Sequence, residues 1–547
     1  MLKHSLISDG VFQVTGADGA VACLSLPQVL ARLSAGEDLG FDALRPHQRP
    51  AWHAFLVQLA YLALEGEDEP VPPTSAEAWC DKLRALTPGH DDDAPWCLVN
   101  SDWQRPAFMQ PPCSVARMVD FKRTADSAQD IDVLVTARHH DEKTGKLPLT
   151  DEALDGLVFA LISLQGWSSF MGAGNYNTMR MNGGFSSRPQ FRLTFGPRGA
   201  GTEFLRDLQA LLDARESLFD DARALGVGIA AEPPHQLLWL LPWDSGSLPL
   251  ESVHPLCLEV CRRVRLVVEG GRLLLRRAAS DAMRVAAKEQ RGCVLDPWVP
   301  LMNEDPPKAL TAQSHTLGYR TLQGLLFDRN KALLPRLAMP SQRERRANQH
   351  ATLVAQVLVS GDGRTDGFLS REVAMSAPVL SRLLTDEAAM ARRSQRFVDL
   401  AGQAAGKAYR SALLQFVDGS DDVDFKNRDF TRAVEPWVER YEQAIDEVFF
   451  THLFDGIDRQ LDAASADREW VVCLQAAAQT LLLDAMQSLP TREPSRLLAQ
   501  ARAERFFWRS WNKQFGAILG AATNTVPETP VSPSSPTTSM TPEPTHD

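Results

Sequence analysis

The sequence predicts an α+β protein: a large, irregular mixed domain over residues 1–380, an antiparallel four-helix bundle over 381–520, and a disordered tail over 521–547. Three observations predict it. The 547 residues carry 44% hydrophobic content, too much chain for one ordinary core and too apolar for disorder. Up to about residue 380, short strand-like runs and helices alternate between Pro, Gly and Asp breaks. From about Leu383 strand signals stop, and long Ala-rich amphipathic segments take over.

In chain order, PAWHAFLVQLAYLALEG sets Trp52, Phe55, Leu56, Leu59 and Leu62 at helical spacing and stops at Gly66, which predicts a core helix. RLVVEGGRLLLRR puts Gly270 and Gly271 between two apolar-basic runs, the pattern of a β-hairpin with a tight turn. Breaks at Asp418 to Asp424, Asp455 and Pro490 divide the C-terminal segments into four helices. In RAVEPWVERYEQAIDEVFF, the stripe Val434, Trp437, Val438, Tyr441, Ile445, Val448 and Phe449 is wide enough to pack into a bundle. After about Gly520 the Pro, Ser and Thr content leaves too few apolar residues to offset the entropy of ordering.

No run of about 18 uncharged apolar residues occurs, and MLKHSLISDGVF lacks the apolar centre of a signal peptide, so a cytoplasmic protein with no membrane partner is expected. The eight cysteines are scattered without a CxxC pair, which points to reduced thiols. Cys257 and Cys261 stand four apart, a spacing that would share one helical face; burial there is favoured over metal binding. A formal net charge of -12 argues against indiscriminate nucleic-acid binding. Local basic stretches remain: Arg262, Arg263 and Arg265, then Arg272, Arg276 and Arg277, then Arg343, Arg345 and Arg346. Each is either a solvated face or a phosphate contact.

An enzyme of this size is expected to show some cluster of nucleophile, base and metal ligands. GQAAGKAY at Gly402 to Tyr409 is too short between its glycines for a phosphate loop, has Ala408 where Ser or Thr is needed, and lies in a helical stretch. His139 and His140 are adjacent and point differently on any regular element. Nucleophile elbows and HExxH are absent. The expectation is a protein without catalytic residues, metal or cofactor.

The segment QGWSSFMGAGNYNTMRMNGGFSSRPQF gathers Gly172, Gly174, Gly183 and Gly184 around Asn175, Tyr176, Asn177 and Arg180. Such a ribbon lets backbone approach a ligand closely, or serves as a turn-rich connector. It resembles the glycine loop of the CasA family, the large subunits of type I-E CRISPR Cascade complexes. Other landmarks follow in the family's order: Phe108, Met109 and Gln110 in PWCLVNSDWQRPAFMQPP; Gly318, Tyr319, Arg320 and Gln323 in LTAQSHTLGYRTLQGLLF; and KAYRSALLQFVDG with VERYEQAIDEVFFTHLF.

The resemblance implies a non-catalytic subunit that recognises a protospacer-adjacent motif in double-stranded DNA from the minor groove, where readout is tolerant, and begins strand separation so that a guide can pair. It implies as partners the CRISPR RNA complex, the other Cascade subunits and the system's helicase-nuclease. Gly172, Ala173, Gly174 and Asn175 would form the motif loop, and Lys288 would reach an acceptor in the groove. Gln323, flanked by Leu322 and Gly324, would be a wedge at a hairpin tip. Arg320, Arg180 and the basic clusters would hold phosphates, and Leu134 and Thr136 are candidates for a further duplex-reading loop. Two departures stand out: the family's wedge can carry Asn beside its Gln, and some members hold a cysteine cluster that is missing here. Two readings of other classes compete, a hydrolase with dispersed catalytic residues and a helical scaffold that binds only proteins.

Overall fold

The computed structural model describes residues 1–132, 154–184, 186–228, 234–347, 349–361, 364–420 and 422–520. The tail over 521–547, His139 and His140 lie outside them. The described residues fold as two compact units, Met1–Gln395 with Phe449–Gln460, and Arg396–Val448 with residues 461–520. The division therefore falls later than residue 380, and part of one long helix belongs to the first unit.

In the first unit, α1 (Arg49–Leu64) is apolar almost all round, and Trp52, Phe55, Leu56, Leu59 and Leu62 are all buried. A helix with no polar face must be covered on every side. Here α2 (Leu154–Trp167) covers one side through Phe159, whose ring lies 5.0 Å from Trp52, while Phe12 and Phe41 close on Trp52 at 5.2 Å and 5.5 Å. Each fully buried side chain of this size stabilises the unit by roughly 1.5–3 kcal/mol.

Around these helices stand several sheets of two or three strands. β1 (Gln190–Phe195) is followed by α3 (Ala200–Leu212), and farther along come β2 (Val253–Leu258), β3 (Arg263–Glu269) and β4 (Arg272–Ala278). β3 and β4 form the expected hairpin, with Gly270 at φ 57° and Gly271 at φ 78° supplying the left-handed turn. Cys257 lies on strand β2, not on a helix with Cys261; both thiols are buried. The run HPLCLE alternates too little for one-sided burial and is covered on both faces, so its four-residue cysteine spacing carried no helical meaning.

Next come α4 (Tyr319–Phe327), the short α5 (Gln342–Ala347), and the longest hairpin among the described residues, β5 (Ala351–Gly361) with β6 (Arg364–Met375). β5 also pairs antiparallel with β1, giving the order β6-β5-β1.

The second unit is helical. α6 (Glu387–Gln403) enters it at Arg396 and runs through a π-helical stretch, Ala404–Arg410, into α7 (Ser411–Asp418). α8 (Arg428–Asp458), α9 (Ala463–Ser488) and α10 (Arg496–Leu519) complete the four-helix arrangement. GQAAGKAY is thus helix interior. The first break starts at Gly419, whose φ of 73° ends α7 in the left-handed region. Asp455 does not break α8, which continues to Asp458. Within the unit, Phe397 stacks on Trp470 at 5.3 Å, and the Trp470 indole donates to the Phe397 carbonyl at 3.0 Å. Tyr409 meets Tyr441 at 4.7 Å, and the Tyr441 hydroxyl donates to the Leu474 carbonyl at 2.9 Å.

Candidate nucleic-acid interface

The glycine-rich segment after α2 is pinned from below by charge. The Arg180 guanidinium is buried, ion-paired with Glu259, and donates to the carbonyls of Pro255 at 2.8 Å and Cys257 at 3.1 Å. Glu259 also accepts from the Met179 amide at 2.9 Å. Burial opposes the charge on Arg180, but Glu259, Cys257 and Asp296 outweigh it and hold the guanidinium pKa above its ordinary value. Arg180 is therefore a structural anchor rather than a phosphate contact; a guanidinium enclosed in this way cannot meet a duplex. Arg188, ion-paired with Asp296 and lying 4.2 Å from the Trp167 ring, closes the other end of the segment.

A second anchor holds the two sides of the loop together. Arg262 donates to the Ser169 carbonyl at 2.7 Å and to the Tyr176 carbonyl. Arg262 is itself seated by Gln165, whose side-chain oxygen accepts from the Arg262 amide at 2.8 Å. Between the anchors the backbone turns back on itself: the Asn175 amide donates to the Gly172 carbonyl and the Met171 amide to the Asn175 carbonyl, both at 3.0 Å.

At the tip, the expected loop residues divide. Ala173 is exposed, Gly172 and Asn175 are half-buried, and Gly174 is buried. Gly172 has φ 90° with open space where a side chain would stand, so its backbone alone demands glycine. Gly174, at φ 83°, has in addition Ala279 Cβ only 2.7 Å from where its own Cβ would be built. Its carbonyl accepts from Ser280, which ties the loop to the chain after β4.

An open cleft of about 710 Å³ separates the loop from that following segment. Phe170, Tyr176 and Asn177 line one side, and Asp281, Met283 and Lys288 the other. Lys288 is exposed, and Asp281 is occupied in accepting from the Gly246 amide at 3.0 Å and 3.2 Å. The fold thus brings Lys288 and the flanks of the glycine loop to one cleft. Backbone edges, an ammonium and an aromatic pair there can meet an anionic or hydrogen-bonding ligand.

The expected wedge is placed differently. Gln323 sits within α4 and is 1% exposed, with its amide nitrogen donating to the Ser394 hydroxyl at 2.8 Å. Leu322 and Gly324 are buried beside it. The segment is a helix because Leu322, Leu325, Leu326 and Phe327 form an apolar face that packs inward, with Phe327 against Phe450 and Phe454. None of the three residues can enter a duplex from there. Arg320 is exposed, its guanidinium 5.0 Å from the Tyr319 ring. Leu134 and Thr136 lie outside the described residues.

Sequence reasoning missed the positioning residues Gln165, Arg262 and Ser280. Arg262 read as part of a basic cluster, and only its burial against two loop carbonyls reveals its role; a Gln inside an apolar helical run was the one available sign of a buried polar staple. Among the described residues, no group of three or more His, Cys, Asp or Glu side chains is placed to hold a metal ion, and no helix is long and apolar enough to cross a membrane.

Residues 250–481 match the family model described as CRISPR-associated protein Cse1. No curated protein matches the chain. Among solved structures, Cse1 from Acidimicrobium ferrooxidans is similar with a TM-score of 0.63 at 15% identity, covering 95% of this chain and 100% of that one. Thermobifida fusca Cse1 gives 0.61 at 14% identity over 95% and 99% of the two chains. Thermus thermophilus CasA (Cse1) gives 0.59 at 15% identity over 94% and 100%. Residues 250–481 thus match the Cse1 family model, and nearly the whole chain shares the fold of the solved Cse1 (CasA) structures.

Proposed function

We propose that this chain is the large, non-catalytic subunit of a type I-E Cascade complex, which recognises a short motif in double-stranded DNA beside a guide-matched target. The observation that carries the reading is that Lys288 and the flanks of the glycine loop, Phe170, Tyr176 and Asn177, line one cleft. A turn with Ala173 exposed and no side chain at Gly172 can lie against base edges in a narrow groove, and an ammonium opposite can reach the acceptors that the minor groove presents for every base pair. The loop needs no adjustment to do so, because Arg180, Arg262 and Ser280 hold it from behind.

Strand separation passes from Gln323 to the β5–β6 hairpin. Ser187, past the last glycine of the segment, donates from its amide to the Leu358 carbonyl at 2.8 Å, and its hydroxyl accepts from the Leu358 amide at 2.9 Å, so the hairpin is tied to the end of the segment. A hairpin fixed to the motif-reading element can enter a base step, at a cost of a few kcal/mol recovered through guide pairing. The second, helical unit supplies packing surface for the smaller Cascade subunits and the displaced strand. Cleavage belongs to the recruited helicase-nuclease of the system, acting in the cytoplasm.

The test is target binding by the complex assembled with its CRISPR RNA, measured on duplexes that differ only in the motif. Ala173→Asp should abolish motif discrimination, and Lys288→Ala should weaken binding to motif-bearing targets by about tenfold, the value of one charged hydrogen bond. Unchanged discrimination in both variants would exclude this cleft as the reader. Nuclease activity of the chain alone would exclude a non-catalytic role.

A further inference from the structure

One face of the β6-β5-β1 sheet turns inward onto α1. Side chains alternate across a strand, so Gln190 and Arg192 of β1 share that face, and strand pairing sets Gln356 and Ser370 in one rung with Gln190. The next rung on the same face runs from Arg192 through Val354 to Glu372. With α1 and α3 these strands enclose a cleft of about 820 Å³, the size of a small-molecule site, wholly within the first unit.

The cleft is lined by polar groups that the protein itself leaves unsatisfied. Trp52, Gln190 and Arg192 line it and are 3%, 0% and 5% exposed. Arg192 donates from one terminal nitrogen to Glu203, yet its Nε and Nη1 have no hydrogen-bond partner among the described residues. Gln190 donates to the Pro50 carbonyl at 3.1 Å while its Oε1 accepts nothing, and the Trp52 indole nitrogen is likewise unpartnered. Buried polar groups are nearly always paired, so three donor nitrogens and one acceptor oxygen around a single cleft mark a place built for a ligand.

The rest of the lining sets the character of that ligand. Burial opposes ionisation of Glu203, but Arg192, His53 and Arg198 outweigh it and hold the carboxyl below its ordinary range. His53 is hydrogen-bonded to Asp207 at 2.8 Å, and Arg198 pairs with both Glu203 and Glu372. Arg49 is exposed and has no acidic partner among the described residues. Three guanidinium groups against two carboxylates leave the cleft with one positive charge in excess. Phe41, Phe204 and Phe368 add an apolar wall the width of a ring.

We propose that this cleft binds a small organic monocarboxylate that carries an apolar, ring-sized body and a hydroxyl beside the carboxylate. The carboxylate meets the unpartnered donors of Arg192 and Trp52, the hydroxyl donates to Gln190 Oε1, and the body lies among the phenylalanines. A single negative charge balances the excess guanidinium, whereas a doubly charged phosphate would meet Glu203 and Glu372 uncompensated. The site shares no residue with the cleft beside the glycine loop and is independent of the DNA-binding reading.

The experiment titrates the full chain with phenyllactate by calorimetry. Three comparison probes accompany it: phenylpropionate, which lacks the hydroxyl; phenyllactamide, which lacks the charge; and phenyl phosphate. Phenyllactate should bind one to one with a Kd at or below about 1 mM, and phenyllactamide at least about tenfold more weakly, because charged hydrogen bonds are lost. Phenylpropionate should fall between them. Arg192→Gln should abolish binding, but it also strips Glu203 of its partner, so a second variant carries the test. Ser370→Trp, at an exposed strand position, should fill the cleft and abolish binding with an unchanged thermal midpoint, whereas Ser370→Ala should bind as the wild type does. No saturable binding of phenyllactate by the wild-type chain, undiminished binding by Ser370→Trp, or tighter binding of phenyl phosphate than of phenyllactate would overturn the proposal.

Discussion

The carbonyl oxygen of Gly174 accepts hydrogen bonds from both the amide and the hydroxyl of Ser280, at 3.1 Å and 3.3 Å. This double contact makes the glycine loop part of the β3–β4 layer rather than a free connector, and it dictates how the two glycines of the loop respond to substitution.

Gly174→Ala should destabilise the protein more than Gly172→Ala. Both impose a side chain on a positive φ, at about 1–3 kcal/mol. Only at Gly174 does the new Cβ collide, 2.7 Å from Ala279 Cβ, which adds about 1–3 kcal/mol of overpacking. Urea midpoints of the two variants check this, and equal losses would show that the loop yields at its root.

Arg180→Ala should cost about 3–5 kcal/mol, because Glu259 is left charged and enclosed without its partner. The measurement is denaturant unfolding, paired with the salt slope of DNA binding. A stable variant with a shallower slope would return Arg180 to the DNA surface.

Gln323→Ala should lower stability by about 1–3 kcal/mol, through the orphaned Ser394 partner and the space left in the core, while motif discrimination by the assembled complex stays at the wild-type level. Selective loss of strand opening in a fully folded Gln323→Ala complex would contradict the buried position.

Stability should fall on the alkaline side. Burial, reinforced by Glu259, pushes the Cys257 thiol up to about 12, and burial with Asp93 pushes Cys97 up to about 11, from an ordinary value of 9.0. The folded state therefore keeps protons that the unfolded state releases. Its advantage is complete below pH 9.0 and is lost as pH rises towards the folded values. Urea midpoints between pH 8 and 10.5 should decline, and less steeply in Cys257→Ala. In the native protein near neutral pH, a thiol reagent should label exposed Cys23 while Cys257 reacts only on unfolding.

Much of the architecture was legible in local pattern. The apolar spacing of Trp52, Phe55 and Leu59 specified a core helix, Gly270-Gly271 specified a hairpin, and the amphipathic segments after Leu383 specified the helical unit. The glycine loop and Lys288 were also expectations of the sequence, and the structure sets Lys288 in a cleft with the flanks of that loop. Periodicity failed where both faces of an element are covered: Cys257 lies on an all-buried strand and Gln323 in a helix whose polar side meets Ser394.

The sequence by itself determined where helices, turns and arginine stretches lie, because backbone propensity and side-chain period act over a few residues. Only the tertiary structure decided which charges face water. Arg180 and Arg262 were drawn inward by Glu259 and by loop carbonyls from distant segments, whereas Arg343, Arg345 and Arg346 were left outside because Arg206 had already claimed Glu344. A charge is neutralised by whatever lies within a few ångströms of it in space, and that neighbour is set by folding rather than by position along the chain.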